Sequence, residues 1–317
     1  MGESLTRAGY TTRPMRPADM DAVMELLMLT SAWDIRYRLR EQLRAAAAHD
    51  AHLAFVAERE GDLVGAAKLA REPAFPGTAS ALVSVGPQAR GTGIGTALAG
   101  LLEEGAGRLR GSGMLTCTLR DDLPEGRAFA EGRGFRVTNH SVGRLYELPA
   151  HGERLAGAAA RSATLARVSV RAASMEDEAR TIMECVSRCM EGAKLPFQEG
   201  QDINLDHARR LIPAEAVIML AESLDGSEPV TCGLTIMTPQ GPTDPWYTIF
   251  TGVDARYRGR GIAAAVKSAA LLYAYRAGAD CVVTHNDETN EPILRLNDSL
   301  GMKPALGYWG LVRPLSD

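Results

Sequence analysis

Apolar residues recur at three- and four-residue intervals in MDAVMELLMLTSA (20–32) and again in EDEARTIMECVSRCM (176–190), which predicts an amphipathic helix in each place. After each helix come two short apolar runs separated by turn residues: LAFVAER and LVGAAKLA around Glu60-Gly61-Asp62, then AVIMLAES and VTCGLTIM around Asp225-Gly226-Ser227. Such pairs read as β-hairpins. A third run, ALVSV or YTIFTGV, leads into a glycine-rich segment and a long helical pattern. A further strand (MLTCTL; CVVTHN), a short helix and a closing strand (SVGRLYEL; YWGLVRP) complete each series. A hairpin followed by βαβα predicts a mixed α/β fold.

The two series are copies of one plan. Arg90 and Arg258 open similar glycine segments, and their separation recurs within one residue between Gly134 of AEGRGF and Gly301 of NDSLGM. Upstream, RPADMD from Arg16 answers RAASME from Arg171 at a separation about a dozen residues shorter. The second copy therefore carries an insertion in its first half, placed at 191–204, where the composition is that of a loop. The expected organisation is a domain over 10–150, a linker rich in small residues over 151–166, and a second domain over 167–317.

Composition narrows the function classes. Of 317 residues, 45% are hydrophobic and 23% charged, the balance of a soluble globular chain. A net charge of −4 lacks the basic excess of a nucleic-acid binder, and no apolar run approaches the ~18 residues of a membrane helix. The five cysteines include no Cys-x-x-Cys pair, and Cys185 and Cys189 have no nearby histidine. Free thiols in a reducing cytoplasm are expected, with no metal site. Richness in Ala, Arg and Gly suggests a bacterial chain.

A strand feeding a glycine-rich turn that opens a helix is suited to an anion, because the unpaired N–H groups of the first helical turn point at it. Neither segment ends in Gly-Lys-Ser/Thr, so a nucleoside-triphosphate loop is excluded. Both lie mid-domain after a hairpin, which argues against a dinucleotide fold. The segments Arg90-Gly91-Thr92-Gly93-Ile94-Gly95 and Arg258-Gly259-Arg260-Gly261-Ile262-Ala263 resemble the pyrophosphate loop of the GCN5-related N-acetyltransferases (GNAT). NEPILRLNDSLGM (290–302) is similar to that family's Asn-rich helix ending in Leu-Gly-Phe.

The resemblance implies two tandem GNAT-type domains, each a mixed, splayed β-sheet flanked by helices. It implies acetyl-CoA as the cofactor, with the pyrophosphate on 90–95 or 258–263 and Thr96 at the helix start beside the first. The pantetheine would lie along the strand carrying Val83, Ser84 and Val85, or the one carrying Thr251, Gly252 and Val253. Asn290 matches a position that contacts the cofactor.

Transfer to a primary amine needs that amine deprotonated, from a pKa of about 10.4. The tyrosine that many family members use as general acid is replaced by Ala130 in one copy and Asn297 in the other. The second domain is therefore expected to do the chemistry. Asn297 would orient the cofactor sulfur, and His285, Tyr308 and Glu222 are candidates for moving the proton. A small-molecule or peptide amine is the expected acceptor. Two readings remain open beside this one: a non-catalytic acetyl-CoA sensor, and an acyltransferase using another acyl donor.

Overall fold

The computed structural model describes residues 9–31, 36–47, 52–71, 77–106, 113–148, 152–191, 209, 212–226, 228–241 and 244–315. They form two compact units, one of residues 9–141 with 306–315 and the other of 142–191 with 209–305. The insertion expected at 191–204 lies outside the described residues beyond Glu191.

Unit 1 contains β1 (Thr11–Pro14), α1 (Met20–Met28), α2 (Arg36–Ala47), β2 (Leu53–Arg59), β3 (Asp62–Arg71), β4 (Thr78–Val85), α3 (Ile94–Ala106), β5 (Met114–Arg120), α4 (Pro124–Glu131) and the first half of β6 (Arg136–Glu147). Strand alternation sorts its core into two layers. Ala66, Val56 and Leu82 meet Val23, Leu27, Leu39 and Leu43 of α1 and α2. Ala57, Ala67 and Leu69 meet Ile94, Leu98 and Leu102 of α3 on the opposite face. A β-carbon at Gly65 would stand 2.9 Å from Ile94 Cγ2, so glycine there lets α3 settle on the sheet.

The last strand of unit 1 comes from the far end of the chain. β12 (Lys303–Pro314) pairs antiparallel with β5 from Tyr308↔Arg120 to Pro314↔Met114, giving the order β1-β2-β3-β4-β5-β12. Arg313 then reaches α3 and the end of α4, donating to Glu103 Oε1 at 2.9 Å and to the Arg133 carbonyl at 3.0 Å.

Unit 2 runs from the second half of β6 through α5 (Gly152–Ala166), β7 (Val168–Ala173), α6 (Met175–Met190), β8 (Val217–Ser223), β9 (Val230–Thr238), β10 (Trp246–Val253), α7 (Ile262–Arg276), β11 (Cys281–Asp287) and α8 (Glu291–Ser299). Its strand order is β6-β11-β10-β9-β8-β7. The stretch expected as a linker is α5, apart from His151, which lies outside the described residues. Small residues suggested a connector, yet alanine is the strongest helix former. The less exposed positions 152, 155, 158, 159, 162, 163 and 166 follow a helical period. Gly152 sits so close to Tyr275 that a β-carbon would overlap the ring, so this glycine serves helix packing rather than a hinge.

In each unit the two central parallel strands separate. β4 pairs with β5 only at Thr78↔Met114, Ala79↔Leu115 and Ser80↔Thr116; β10 pairs with β11 only at Trp246↔Val282 and Tyr247↔Val283. Beyond those points the strands part and leave a wedge between them.

Ending the chain at Ala305 would turn β5 into an open edge and strip unit 1 of Leu311 and Val312, both buried. Their burial is worth roughly 3–6 kcal/mol. Hydrogen exchange on that truncation should show β4 and β5 losing protection while β8 and β9 keep theirs; unchanged protection of β5 would mean β12 is dispensable to unit 1.

Candidate active site in the first unit

The two glycine loops share one backbone solution. Gly91 and Gly93 have φ of 75° and 87°, and Gly259 and Gly261 have 78° and 82°, the left-handed region where a β-carbon is costly. The leading arginine of each loop is exposed and also bonds back to the strand before it. Arg90 Nε donates to the Val85 carbonyl at 3.2 Å, and Arg258 Nε to the Val253 carbonyl at 3.2 Å. Expected as cofactor contacts, these arginines pin each loop to the strand before it. The anion-binding groups are then the first-turn N–H groups of α3, including those of Ile94, Gly95 and Thr96.

In unit 1 the loop opens into a cavity of about 540 Å³. Gly91, Gly93, Gly95 and Thr96 form its mouth, Val83, Val85 and Leu119 line the wedge, and Phe129 and Ala130 of α4 face them. A β-carbon on Gly95 would meet Phe129 and Val85 at 3.6 Å, so glycine keeps the entrance wide. Burial pushes the Cys117 thiol on the cavity wall up to about 11, which keeps it protonated near neutral pH and a poor nucleophile.

The corresponding positions of unit 2 carry a polar plug. Lys267 stands where unit 1 has Ala99, Asn297 where it has Ala130, and Asn286 where it has Leu119. Lys267 Nζ donates to Asn297 Oδ1 at 2.7 Å, and Asn297 Nδ2 donates to Asn286 Oδ1 at 2.8 Å. Asn297 has no exposed surface and Lys267 only 3%. Burial pushes the Lys267 amine down to about 7. Asn297, expected to orient a cofactor sulfur, is spent on this buried chain.

The other residues expected in unit 2 do not converge on it. The His285 ring lies 5.8 Å from that of Tyr247. Glu222 is ion-paired to Arg171 at 2.8 Å, beside a second pair from Arg171 to Glu178, on a strand separated from β10 by β9. Tyr308 belongs to unit 1, opposite Arg120. Asn290 caps the start of α8, exposed and without a side-chain cap bond. Arg260 is ion-paired to Asp225 at 3.0 Å.

Two residues expected along the cofactor strands have structural roles, one through its side chain and one through the lack of it. Ser84 Oγ donates to the Leu26 carbonyl on α1, and Gly252 admits α6, since a β-carbon there would lie 2.6 Å from Cys189 Cβ. Thr251 Oγ1 meets Thr235 Oγ1 at 2.7 Å. Ile94 and Ile262 point into the cores.

Beside the unit 1 cavity the structure assembles a pair that the sequence did not announce. His140 Nε2 lies 3.0 Å from Asp121 Oδ2, and Asp121 Oδ1 accepts the Gly307 N–H at 3.1 Å. The His140 ring stacks on Trp309 with centroids 4.0 Å apart, and Arg127 lies 4.7 Å over the same indole. Asp121 sits between Leu119 and Leu123, both on the cavity wall. Its hydrogen bond assigns the proton of a neutral His140 to Nε2 and the lone pair to Nδ1. A β-carbon at Gly307 would overlap Asp121 Oδ2 at 2.5 Å, so glycine is required there. No local pattern links residues so far apart in the chain; only the arrival of β12 does.

Residues 20–135 match the sequence model of the acetyltransferase (GNAT) family. No curated protein matches the chain. Among solved structures it is similar to a GCN5-related N-acetyltransferase from Sphaerobacter thermophilus, with a TM-score of 0.69 at 19% identity over 98% of this chain and 97% of that one. It is also similar to a tandem GNAT protein from the clavulanic acid biosynthesis pathway, with a TM-score of 0.67 at 19% identity over 97% and 100%. A glucosamine N-acetyltransferase region of a fungal multi-domain β-N-acetylglucosaminidase gives 0.66 at 14% identity, covering 98% of this chain and 39% of that one. At these identities the likeness is one of fold.

Lys267 makes stability depend on pH. Its folded-state pKa lies below the ordinary 10.5, so the unfolded chain binds the proton more tightly and the group's contribution falls as pH drops from about 10.5 to about 7. Denaturant titrations of the wild type and Lys267→Met at pH 7 and pH 9 should differ in their pH dependence by roughly 2 kcal/mol, the variant being the flatter. Equal dependence in both would mean that Lys267 is protonated in the fold.

Proposed function

We propose that this chain, which carries the tandem GNAT fold and matches the family's sequence model over residues 20–135, is an acyl-CoA-dependent N-acyltransferase whose working site is in unit 1. The acyl group, acetyl in the simplest case, passes to a primary amine. The observation that carries this reading is the cavity joining the first glycine loop to the wedge between β4 and β5. The plug in unit 2 favours a scaffold role for that half, which reverses the expectation drawn from Asn297.

The residues present fit the donor. The first turn of α3 holds the pyrophosphate, and β4 beyond Ser80 offers backbone groups no longer bonded to β5, against which an extended pantetheine lies as a strand. When bound, the donor supplies an activated thioester. A β4 amide aimed into the wedge stabilises the negative charge that develops on the thioester oxygen. His140, held by Asp121 and Trp309, takes up the proton of the attacking amine and returns one to the departing sulfur. The C–N bond forms as the C–S bond breaks, and the products are an amide and free CoA.

Titration calorimetry with acetyl-CoA should show one site per chain, abolished by Gly93→Asp and retained in Gly261→Asp; the opposite pattern would return the site to unit 2. His140→Asn should lower kcat by about 10²–10³-fold with donor affinity held within twofold. A turnover unchanged within threefold would remove His140 from proton transfer.

A further inference from the structure

The inner walls of the unit 1 cavity are mostly apolar, and they extend beyond the wedge itself. A site that ends at an acetyl thioester needs a mouth for the pyrophosphate, a strand-like slot for the pantetheine, and closed walls beyond. Here the space continues past the wedge between α3, α4 and β5, as far as Leu102, Leu115 and Phe135. The residues that leave it open are small: Ala99 on α3, and Gly126 and Ala130 on α4. Any β-carbon added at Gly126 would crowd Leu119 at 3.1 Å.

The far end of this space is sealed by charge that is already satisfied. Glu103 receives Arg133 at 3.1 Å and Arg313 at 2.9 Å, which ties both arginines to α3 at that end. Apolar space of this kind excludes water and favours aliphatic occupants.

Unit 2 provides an internal comparison, since it shows the same framework with the space closed. There Lys267 and Asn297 replace Ala99 and Ala130, and both are buried. The helices, the loop and the parting of the strands are alike in both units, so the open space of unit 1 is not a by-product of the fold. Two positions on its wall carry side chains that are small in one copy and large and polar in the other.

We propose that unit 1 is built for acyl-CoA donors with a medium-length aliphatic chain, which runs from the wedge into the space between α3, α4 and β5. The proposal rests on the N-acyltransferase reading and specifies its donor. The group transferred is then a fatty acyl group: its thioester C–S bond breaks as the C–N bond to the amine forms, and the amine proton leaves by His140 to the sulfur.

The experiment is a calorimetric series on the full chain with CoA and with acetyl-, butanoyl-, hexanoyl- and octanoyl-CoA, repeated on Ala99→Leu and Ala130→Leu, whose folding is checked by circular dichroism. In the wild type, Kd should fall roughly threefold to fourfold for each methylene that becomes buried, giving at least about tenfold from acetyl- to hexanoyl-CoA. Either leucine variant should flatten that gain, lowering the hexanoyl-to-acetyl affinity ratio toward one. A flat or rising Kd along the series, with acetyl-CoA bound, overturns the medium-chain donor and leaves the N-acyltransferase reading standing. Failure of CoA and of every thioester to bind overturns that reading itself. The wild-type series decides the matter even if both variants unfold.

Discussion

Parallel pairing between β4 and β5 stops at Ser80, and the peptide groups beyond it face open space instead of one another. Buried backbone donors and acceptors need partners, so a wedge of this kind is stable only where water or an extended ligand completes the ladder. The glycine turn at the end of β4 and the N-terminus of α3 give such a ligand a negatively charged end to anchor. The wedge persists because β5 is fixed along its other edge by seven residue pairs with β12. Were that edge loose, β5 could tilt toward β4 and close the gap.

The two units meet the same geometric demand with opposite chemistry. Unit 2 fills the space beside its wedge with a lysine whose burial disfavours its charge, and offsets part of the cost through the hydrogen bonds Lys267–Asn297–Asn286. Unit 1 leaves alanines and a leucine there, and forgoes the dispersion contacts that a filled core would supply. Either arrangement is costly without a reason. For unit 1 the reason we propose is an occupant that restores the lost contacts; in unit 2 the buried groups satisfy one another.

Much of the fold was legible in the sequence because its signals are local. Hairpin runs, the glycine turns after β4 and β10, and the helical period of α6 all appear within a window of a few residues. The duplication made each signal count twice. The site was less legible. Arg90 and Arg258 stand out in the motif, and what the motif does not show is that each also ties its loop to the preceding strand. Asn297 looked like a polar catalytic survivor, but its neighbour in space, Lys267, lies a whole strand and turn away in sequence. Ala130 reads as a loss when judged as a missing acid, and as an opening when seen beside Ala99 across the cavity. His140 had no partner in sequence because Trp309 and Gly307 lie at the opposite end of the chain. The helix α5 was hidden by composition, since alanine-rich runs suit both connectors and tightly packed helices.

The placement of β12 also fixes an order of events during synthesis. The ribosome makes β1 through α4 first, but the strand that seals β5 and carries the indole under His140 is made only after the described elements of unit 2. Until then unit 1 has a complete cofactor loop and an incomplete sheet, while most of unit 2 has already left the tunnel. Unit 1 therefore cannot close its sheet until residues 306–314 have been made, so the folding of the half translated first waits on a segment made after nearly all of the other.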